Sequence, residues 1–167
     1  MRIQQIGKKI QSWEQIGATV ARWKKKGERI VFTNGCFDLL HFGHLHYLAE
    51  ASELGNHLII GLNSAASVRR LKGSHRPIND EKTRQHQLAA LEFVDAVVAF
   101  DQDTPFELIQ LIVPDVLVKG GDWKPHQIVG SDIVLAAGGR VLSLPYIEGY
   151  STTAIEQKIL NRSPGNP

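Results

Sequence analysis

Short runs of apolar residues alternate along this chain with longer stretches in which apolar residues recur at helical spacing. The short runs predict buried strands at 30–32, 58–62, 94–100, 116–118 and 140–144. Helices are predicted between them, at 45–54, 65–71, about 80–91, 106–112, 132–137 and about 154–160. An earlier helix follows Ser12, which forms a capping-box pattern with Gln15, and it closes at Gly27.

This order of elements determines the fold class that we predict. Strands alternating with helices indicate a parallel sheet with right-handed crossovers, and therefore a single α/β domain of the doubly wound, Rossmann-like type. We expect residues 1–27 to form a helical lead-in and residues 28–160 to form this domain. The stretch 161–167 carries two prolines and a glycine, so we expect a disordered tail there.

The composition excludes several classes of partner. The chain has 167 residues, of which 43% are hydrophobic and 22% charged, as in ordinary globular domains. A formal net charge of +2 without a basic stripe argues against a nucleic-acid partner. No apolar run is long enough to cross a bilayer, and a single cysteine fits a reducing compartment. We therefore expect a cytoplasmic protein that acts on small molecules.

The loops with unusual chemistry all follow predicted strands. They cover residues 33–44, 63–76, 101–105, 119–123 and 145–153. In a doubly wound sheet, ligands bind beyond the carboxyl ends of the strands. These loops are therefore expected to converge on one composite site.

The richest of these loops runs from Thr33 to His44. Gly35 and Gly43 allow positive φ or a close approach of a ligand, and His41 and His44 are spaced so that they can face one point. A strand end that leads into a helix N-terminus forms an anion site. We interpret the two imidazoles as donors to a phosphate whose charge rises during a reaction. Cys36 has no obvious base and is interpreted as a small buried residue.

A second anion site is predicted where Ser151, Thr152 and Thr153 open the last helix. Their hydroxyls either cap the helix or hold the β- and γ-phosphates of a nucleoside triphosphate. The chain lacks both the G-x-G-x-x-G fingerprint and a Walker P-loop, which argues against a dehydrogenase and a P-loop ATPase.

Nucleotidyl transfer is the reaction that these features favour. A phosphate oxygen of an acceptor attacks the α-phosphorus, and pyrophosphate leaves, with catalysis by positioned charge. Lys72 and Arg76 are candidates for neutralising the phosphates. Mg²⁺ is expected to bind mainly through the phosphates, so no residue is assigned as a metal ligand.

The pattern Gly35-x-Phe37-Asp38-x-x-His41-x-Gly43-His44 resembles the HxGH signature of the cytidylyltransferase-like nucleotidyltransferases. The resemblance covers residues 12–160. Within this superfamily, the stretches 30–38, 61–64, 68–73, 76–79, 118–123 and 151–153 look most like the adenylyltransferase domain of ADP-heptose synthases. That resemblance implies ATP and D-glycero-D-manno-heptose 1-phosphate as substrates and ADP-heptose, a precursor of the lipopolysaccharide core, as product.

The same resemblance implies roles for individual residues. The implied catalytic residues are His41, His44 and Lys72. The implied nucleotide contacts are Thr33, Asn34, Gly35, Cys36, Phe37, Gly43, Gly120, Asp122, Ser151, Thr152 and Thr153. The implied substrate contacts are Asp38, Arg76, Arg84, Lys119 and Trp123. A homodimer is a further family expectation, and a sugar kinase is expected on a separate chain because no kinase domain accompanies this sequence.

Three positions depart from the sequence patterns of related enzymes, and two alternative functions therefore stay open. Ala65 stands where relatives often carry Asp, and Tyr146 and Gly121 replace an Arg and an Asp of glycerol 3-phosphate cytidylyltransferases. The last two changes favour the sugar branch without fixing the base. A cytidylyltransferase for a polyol phosphate such as glycerol 3-phosphate is the alternative enzyme. A non-catalytic nucleotide-binding module is the alternative of another class.

Overall fold

A parallel sheet of five strands forms the centre of the part of the protein that the structure, a computed structural model, describes (residues 1–161). The strands are Ile30–Gly35 (β1), His57–Asn63 (β2), Ala96–Phe100 (β3), Val116–Gly120 (β4) and Arg140–Leu144 (β5). Their order in the sheet is β3-β2-β1-β4-β5, and every pairing is parallel. This arrangement confirms the predicted α/β, Rossmann-like fold class.

Helices connect these strands and precede the first of them. In residues 1–161 they are Arg2–Lys9 (α1), Trp13–Lys25 (α2), Phe42–Ser52 (α3), Ala65–Lys72 (α4), Glu81–Ala89 (α5), Phe106–Ile112 (α6), Ser131–Ala136 (α7) and Thr152–Leu160 (α8). A short 3₁₀ turn covers Pro125–Gln127. Helix α3 begins three residues earlier than the expected start at Leu45, because His41 is its N-cap. This earlier start places both histidines at the first turn of the helix.

The sheet separates two apolar layers because alternate residues of a strand face opposite sides. Ile30 and Phe32 of β1 pack into the layer that contains α2, α6 and α7, whereas Val31 packs into the layer that contains α3 and α5. Helices on both faces bury most side chains of β1 to β4, which explains why these strands are continuous apolar runs. No helix within residues 1–161 is long and apolar enough to cross a membrane.

The segment before β1 packs onto the domain. Ile16 and Val20 of α2 are buried in the core, and the Trp13 indole donates a hydrogen bond to the Ala99 carbonyl at 2.9 Å. Ile10 forms a parallel bridge with Val97 and so covers the edge of β3. The proposed domain boundary at residue 27 stays a prediction. Of the predicted tail, residues 162–167 lie outside the part that the structure describes.

Strand order determines where a ligand can enter. The chain builds β1, β2 and β3 toward one edge and then returns to place β4 on the other side of β1. The connections beyond the carboxyl ends of β1 and β4 therefore diverge, and a crevice opens between them. The loops 33–44 and 119–123 both follow these strands.

Candidate functional site

The loop between β1 and α3 makes a tight turn at Phe37. Its φ is +43°, a left-handed conformation that side chains other than glycine rarely adopt. The Phe37 ring is buried and lies edge-on to His44 at 5.4 Å between centroids. Burying a phenylalanine side chain contributes about 1.5–3 kcal/mol, which offsets the cost of such a backbone conformation. The turn thus directs the chain from the sheet into the histidine pair.

His41 and His44 stack on each other at the start of α3. Their ring centroids are 3.8 Å apart with an angle of 26° between the planes. A Cβ on Gly43 would lie 3.2 Å from the His41 ring and 3.3 Å from Cβ of Tyr150. Glycine at position 43 therefore allows the His41 ring to fold over α3 and the segment before α8 to approach it.

Burial and two neighbouring side chains lower the pKa of His44. Burial contributes most to lowering its pKa to about 4, and His41 and Lys72 lower it further, while the Leu39 backbone opposes them. Burial also lowers the pKa of His41. Both imidazoles are therefore neutral at pH 7 in the free protein, and each ring can donate one N–H. An anion placed between them would raise their pKa values.

The lowered pKa of His44 predicts a loss of stability in acid. An unfolded histidine has a pKa of about 6.5, so the unfolded chain takes up this proton more readily than the folded protein between about pH 6.5 and 4. The free energy of unfolding should fall across this window by as much as about 3 kcal/mol from His44 alone. Urea unfolding of the wild type and His44→Gln at pH 7 and pH 4.5 measures this contribution.

A glutamine at position 44 cannot take up the proton, so the variant should lose less stability than the wild type on acidification. His46→Gln is the matched control, since His46 is exposed on the same helix. Parallel losses in the wild type and His44→Gln would contradict the assignment of the acid-sensitive group to His44.

Asp38 connects the motif loop to the loop before α5. Its carboxylate, 2% exposed, accepts hydrogen bonds from the Ile78 amide at 2.7 Å, the Asn79 amide at 3.0 Å and the Arg76 guanidinium at 2.9 Å. Burial alone would raise the pKa of Asp38, but these bonds outweigh it and hold the pKa below its ordinary value. Its protein partners occupy both carboxylate oxygens, so the carboxylate holds the two loops together.

Replacing Asp38 with asparagine is expected to lower the free energy of unfolding at pH 7 by about 3 kcal/mol, because an amide cannot satisfy the same donors and leaves Arg76 under-compensated. The stabilisation by Asp38 is fully present above the unfolded pKa of about 3.9 and is lost as the pH falls through the lower folded pKa. The difference from the wild type should therefore shrink below pH 4. Denaturant titration of both proteins, with the exposed Asp132→Asn as control, tests this expectation.

The two arginines expected to contact substrate are bound by protein groups. Arg76 bridges Asp38 and the Glu156 carboxylate of α8, which lies at 2.5 Å. Arg84 is fully buried, and its guanidinium donates to the carbonyls of Cys36 and Asn63, both at 2.8 Å. In this structure both side chains hold strand ends, loops and α8 together, and their substrate contacts stay a prediction.

A cavity of about 150 Å³ lies against His44, and we name it the histidine pocket; His41 stacks on His44 but does not line this cavity. Its lining residues are Asn34, Gly35, Cys36, Phe37, Asp38, His44, Tyr47, Lys72, Lys119, Gly120, Tyr146 and Thr152. Thr152 at the start of α8 therefore shares a hollow with His44, as the convergence of strand-end loops predicts. Ser151 instead caps α8 by accepting a bond from the Ala154 amide, and Thr153 is exposed.

A second cavity of about 340 Å³ adjoins the first, and we name it the tryptophan pocket. Its lining residues are Asn34, Gly35, Cys36, Asn63, Leu71, Asp103, Thr104, Pro105, Lys119, Trp123, Gln127, Ile128 and Val129. The two pockets share residues 34–36 and Lys119. Burial lowers the pKa of Lys119, whose ammonium lies 3.5 Å from the Asn34 side-chain oxygen. One cation therefore lies on the boundary between two hollows.

Other expected site residues lie outside both cavities. The Thr33 hydroxyl is 3.1 Å from the buried Tyr47 hydroxyl, and Asp122 is exposed beyond the pocket walls. Sequence reasoning did not assign Tyr47, Tyr146, Asn63 or Gln127 to the site. Tyr146 and Asn63 lie in strand-end loops that the sequence predicts to converge on the site, but no pattern in the sequence assigned a role to either side chain.

The donor set does not fit a metal ion held by the protein. Oxygen ligands for Mg²⁺ must be grouped, and within residues 1–161 no three His, Cys, Asp or Glu side chains are grouped so that they could hold a metal. Asp38 lines the histidine pocket, but both of its carboxylate oxygens already bond to the protein. A divalent ion here would have to be carried by a ligand.

Comparisons with known proteins identify the family of this chain. The cytidylyltransferase-like family model matches residues 32–158. The chain is 53% identical to a protein named bifunctional protein HldE from Trichlorobacter lovleyi over 92% of this chain, and 53% identical to one from Geotalea uraniireducens over 90%. In each case, the chain spans 31% of the length of its relative.

Two solved structures share the fold. A lipopolysaccharide core biosynthesis protein from Thermoplasma volcanium superposes with a TM-score of 0.60 at 27% identity, over 75% of this chain and 100% of the other. A pantoate-beta-alanine ligase from Francisella tularensis gives 0.59 at 15% identity, over 92% of this chain and 79% of the other, and shows the fold alone. Since the family model covers most of the sheet, the histidine pair and most of α8, this chain belongs to the cytidylyltransferase-like family.

Proposed function

We propose that this protein transfers AMP from ATP to D-glycero-D-manno-heptose 1-phosphate, giving ADP-heptose and pyrophosphate for the lipopolysaccharide core. The observation that carries the proposal is that His44, on which His41 stacks, lines one pocket together with Lys72 and Thr152. The choice of the heptose branch is supported by the HldE relatives and by the lipopolysaccharide core biosynthesis protein of similar fold.

The histidine pocket is suited to the triphosphate. Lys72 supplies positive charge, Thr152 supplies a hydroxyl at a helix N-terminus, and the neutral His44 imidazole supplies an N–H donor. During transfer, an oxygen of the acceptor phosphate forms a bond to the α-phosphorus while the bond to the bridging oxygen breaks. Donors aimed at the oxygens that gain charge stabilise this transition state.

The tryptophan pocket is suited to the acceptor. Its volume of about 340 Å³ and its mixture of Trp123, Asp103 and Gln127 match a sugar, which presents both hydroxyls and apolar ring faces. Lys119 lines both pockets, so a phosphate on the acceptor and the α-phosphate of ATP can meet beside one ammonium group. The position of Lys119 between the two pockets therefore supports the proposal that the two phosphates are brought together there.

Mg²⁺ is part of the proposal only as an ion carried by the triphosphate, where it neutralises phosphate charge. The acceptor is itself a phosphorylated sugar, so a kinase reaction has to supply it. We propose that a sugar kinase domain or chain does so, and a homodimer stays a prediction.

Pyrophosphate release with ATP or CTP and a panel of acceptors tests the proposal. We expect turnover with ATP and the heptose 1-phosphate, and little turnover with CTP and glycerol 3-phosphate. Turnover with CTP alone would replace the proposal by the cytidylyltransferase alternative. Nucleotide binding without turnover on any acceptor would favour the non-catalytic alternative.

A further inference from the structure

Tyr146 follows β5, and the end of its ring lies against the backbone of the loop after β4. A Cβ on Gly120 would stand 2.8 Å from the ring atom Cε1 of Tyr146, closer than real Cβ atoms come to a heavy atom. A Cβ on Gly121, whose φ is +111°, would stand 3.1 Å from Cε2. Because Gly120 and Gly121 have no side chains, the Tyr146 ring can pack directly against their backbone, and we name this contact the glycine seat.

A second contact fixes the orientation of the ring. Tyr47 meets Tyr146 edge to face, with centroids 6.4 Å apart and an angle of 89°. Tyr47 is itself buried and its hydroxyl lies 3.1 Å from the Thr33 hydroxyl, so it provides a rigid neighbour. The Tyr146 ring thus contacts both the glycine pair and Tyr47.

Tyr146 nevertheless remains 58% exposed. It also lines the histidine pocket together with His44 and Thr152. The exposed Tyr146 ring, which packs against the glycine pair, therefore adjoins the hollow that is suited to the triphosphate. A nucleotide whose phosphates occupy that hollow carries its base at a short distance from them.

We propose that Tyr146 is the platform on which the nucleobase stacks, and that this platform favours a purine over a pyrimidine. The inference deepens the proposed function and depends on it for the position of the triphosphate. Stacking of a base on an aromatic side chain contributes about 1–3 kcal/mol by alanine substitution. The bicyclic purine covers more of the ring than a single pyrimidine ring does, so its larger buried apolar area gives it the advantage.

Equilibrium binding of ATP and of CTP, measured by calorimetry without an acceptor, tests the platform. Tyr146→Ala should weaken ATP binding about tenfold, within the range that stacking energies allow, and should weaken CTP binding less than threefold. Tyr146→Phe keeps the ring and should bind ATP within twofold of the wild type. Phe106→Ala removes a partly exposed aromatic ring on α6, outside both pockets, and should leave ATP binding unchanged.

A second variant changes the glycine seat and leaves the Tyr146 side chain intact. Gly120→Ala places a methyl group where the ring lies and should weaken ATP binding to a similar extent. Because both changes act through the same contact, the double variant with Tyr146→Ala should be no weaker than the single variants. Fully additive losses would overturn the idea that Gly120 acts through Tyr146.

Two further results would overturn the platform: equal losses of ATP and CTP binding in Tyr146→Ala, or unchanged ATP binding in that variant. A wild-type protein that binds CTP more tightly than ATP would overturn the purine preference. The binding measurements contain no acceptor, so their outcome does not depend on whether the protein transfers AMP to heptose 1-phosphate. Normal ATP binding with no turnover on heptose 1-phosphate would reject the proposed reaction and leave the platform intact.

Discussion

Replacing His44 with alanine is expected to lower kcat for nucleotidyl transfer by about 10²–10³-fold, the usual loss for one donor to a developing negative charge. His44 lines the pocket proposed for the triphosphate, and its ring is held between Phe37 and His41. The loss should fall mainly on kcat, because the donor acts most strongly when the α-phosphoryl oxygens gain charge. Steady-state pyrophosphate release gives kcat, and calorimetry gives ATP binding.

The matched control is His46→Ala, which removes an exposed imidazole two residues further along α3. We expect kcat within about twofold of the wild type for this control, because surface changes away from a site have small effects. A His44→Ala protein that is folded and retains kcat within threefold of the wild type would contradict the catalytic role. That result would also favour the alternative of a non-catalytic nucleotide-binding module.

Local sequence was sufficient to predict the fold. The apolar runs of the strands are continuous because both faces of the sheet are covered, and a parallel sheet brings the loops after its strands to one edge. This rule correctly placed Thr152 in the same pocket as His44, although 108 positions separate them in the chain. The HxGH pattern was enough to identify the family, which the family model confirms.

The partners of individual polar side chains could not be predicted in the same way. Asp38 is paired with Arg76, and Arg76 with Glu156, and these pairs span 38 and 80 positions. A charged side chain in a strand-end loop can face either a ligand or another loop, and the local sequence is the same in both cases. The Thr33 hydroxyl likewise contacts Tyr47 because both side chains are buried on one face, a packing effect that no local pattern reports.

The seat of Tyr146 on the glycine pair also depends on packing. Its sequence position marked it only as a departure from the cytidylyltransferase pattern, with no indication of what the ring contacts. The contact arises because β4 and β5 are neighbours in register, with Gly120 opposite Leu144. The loop after β5 therefore passes over the end of β4, where only glycine leaves room for the ring.

Replacing Arg84 with methionine is expected to lower the free energy of unfolding by about 3–5 kcal/mol, the largest stability effect that we predict. The guanidinium is fully buried and donates to three backbone carbonyls, those of Cys36, Asn63 and Asn79, at 2.8, 2.8 and 3.2 Å. Methionine fills much of the volume but leaves these acceptors without donors, and an unsatisfied buried acceptor costs about 1–3 kcal/mol. Urea unfolding of the variant and the wild type measures the difference.

The same variant separates a structural role of Arg84 from the substrate contact implied by the family resemblance. Two of its acceptors are the carbonyls of Cys36, just after β1, and of Asn63, the last residue of β2, so their loss should loosen the strand ends that form both pockets. Arg69→Met, on the exposed face of α4, is the control and should stay within about 0.5 kcal/mol of the wild type. If Arg84 acted on substrate alone, the variant would keep its stability and show a raised KM for one substrate. A large loss of stability is instead the result expected when three buried carbonyls lose the guanidinium that satisfies them.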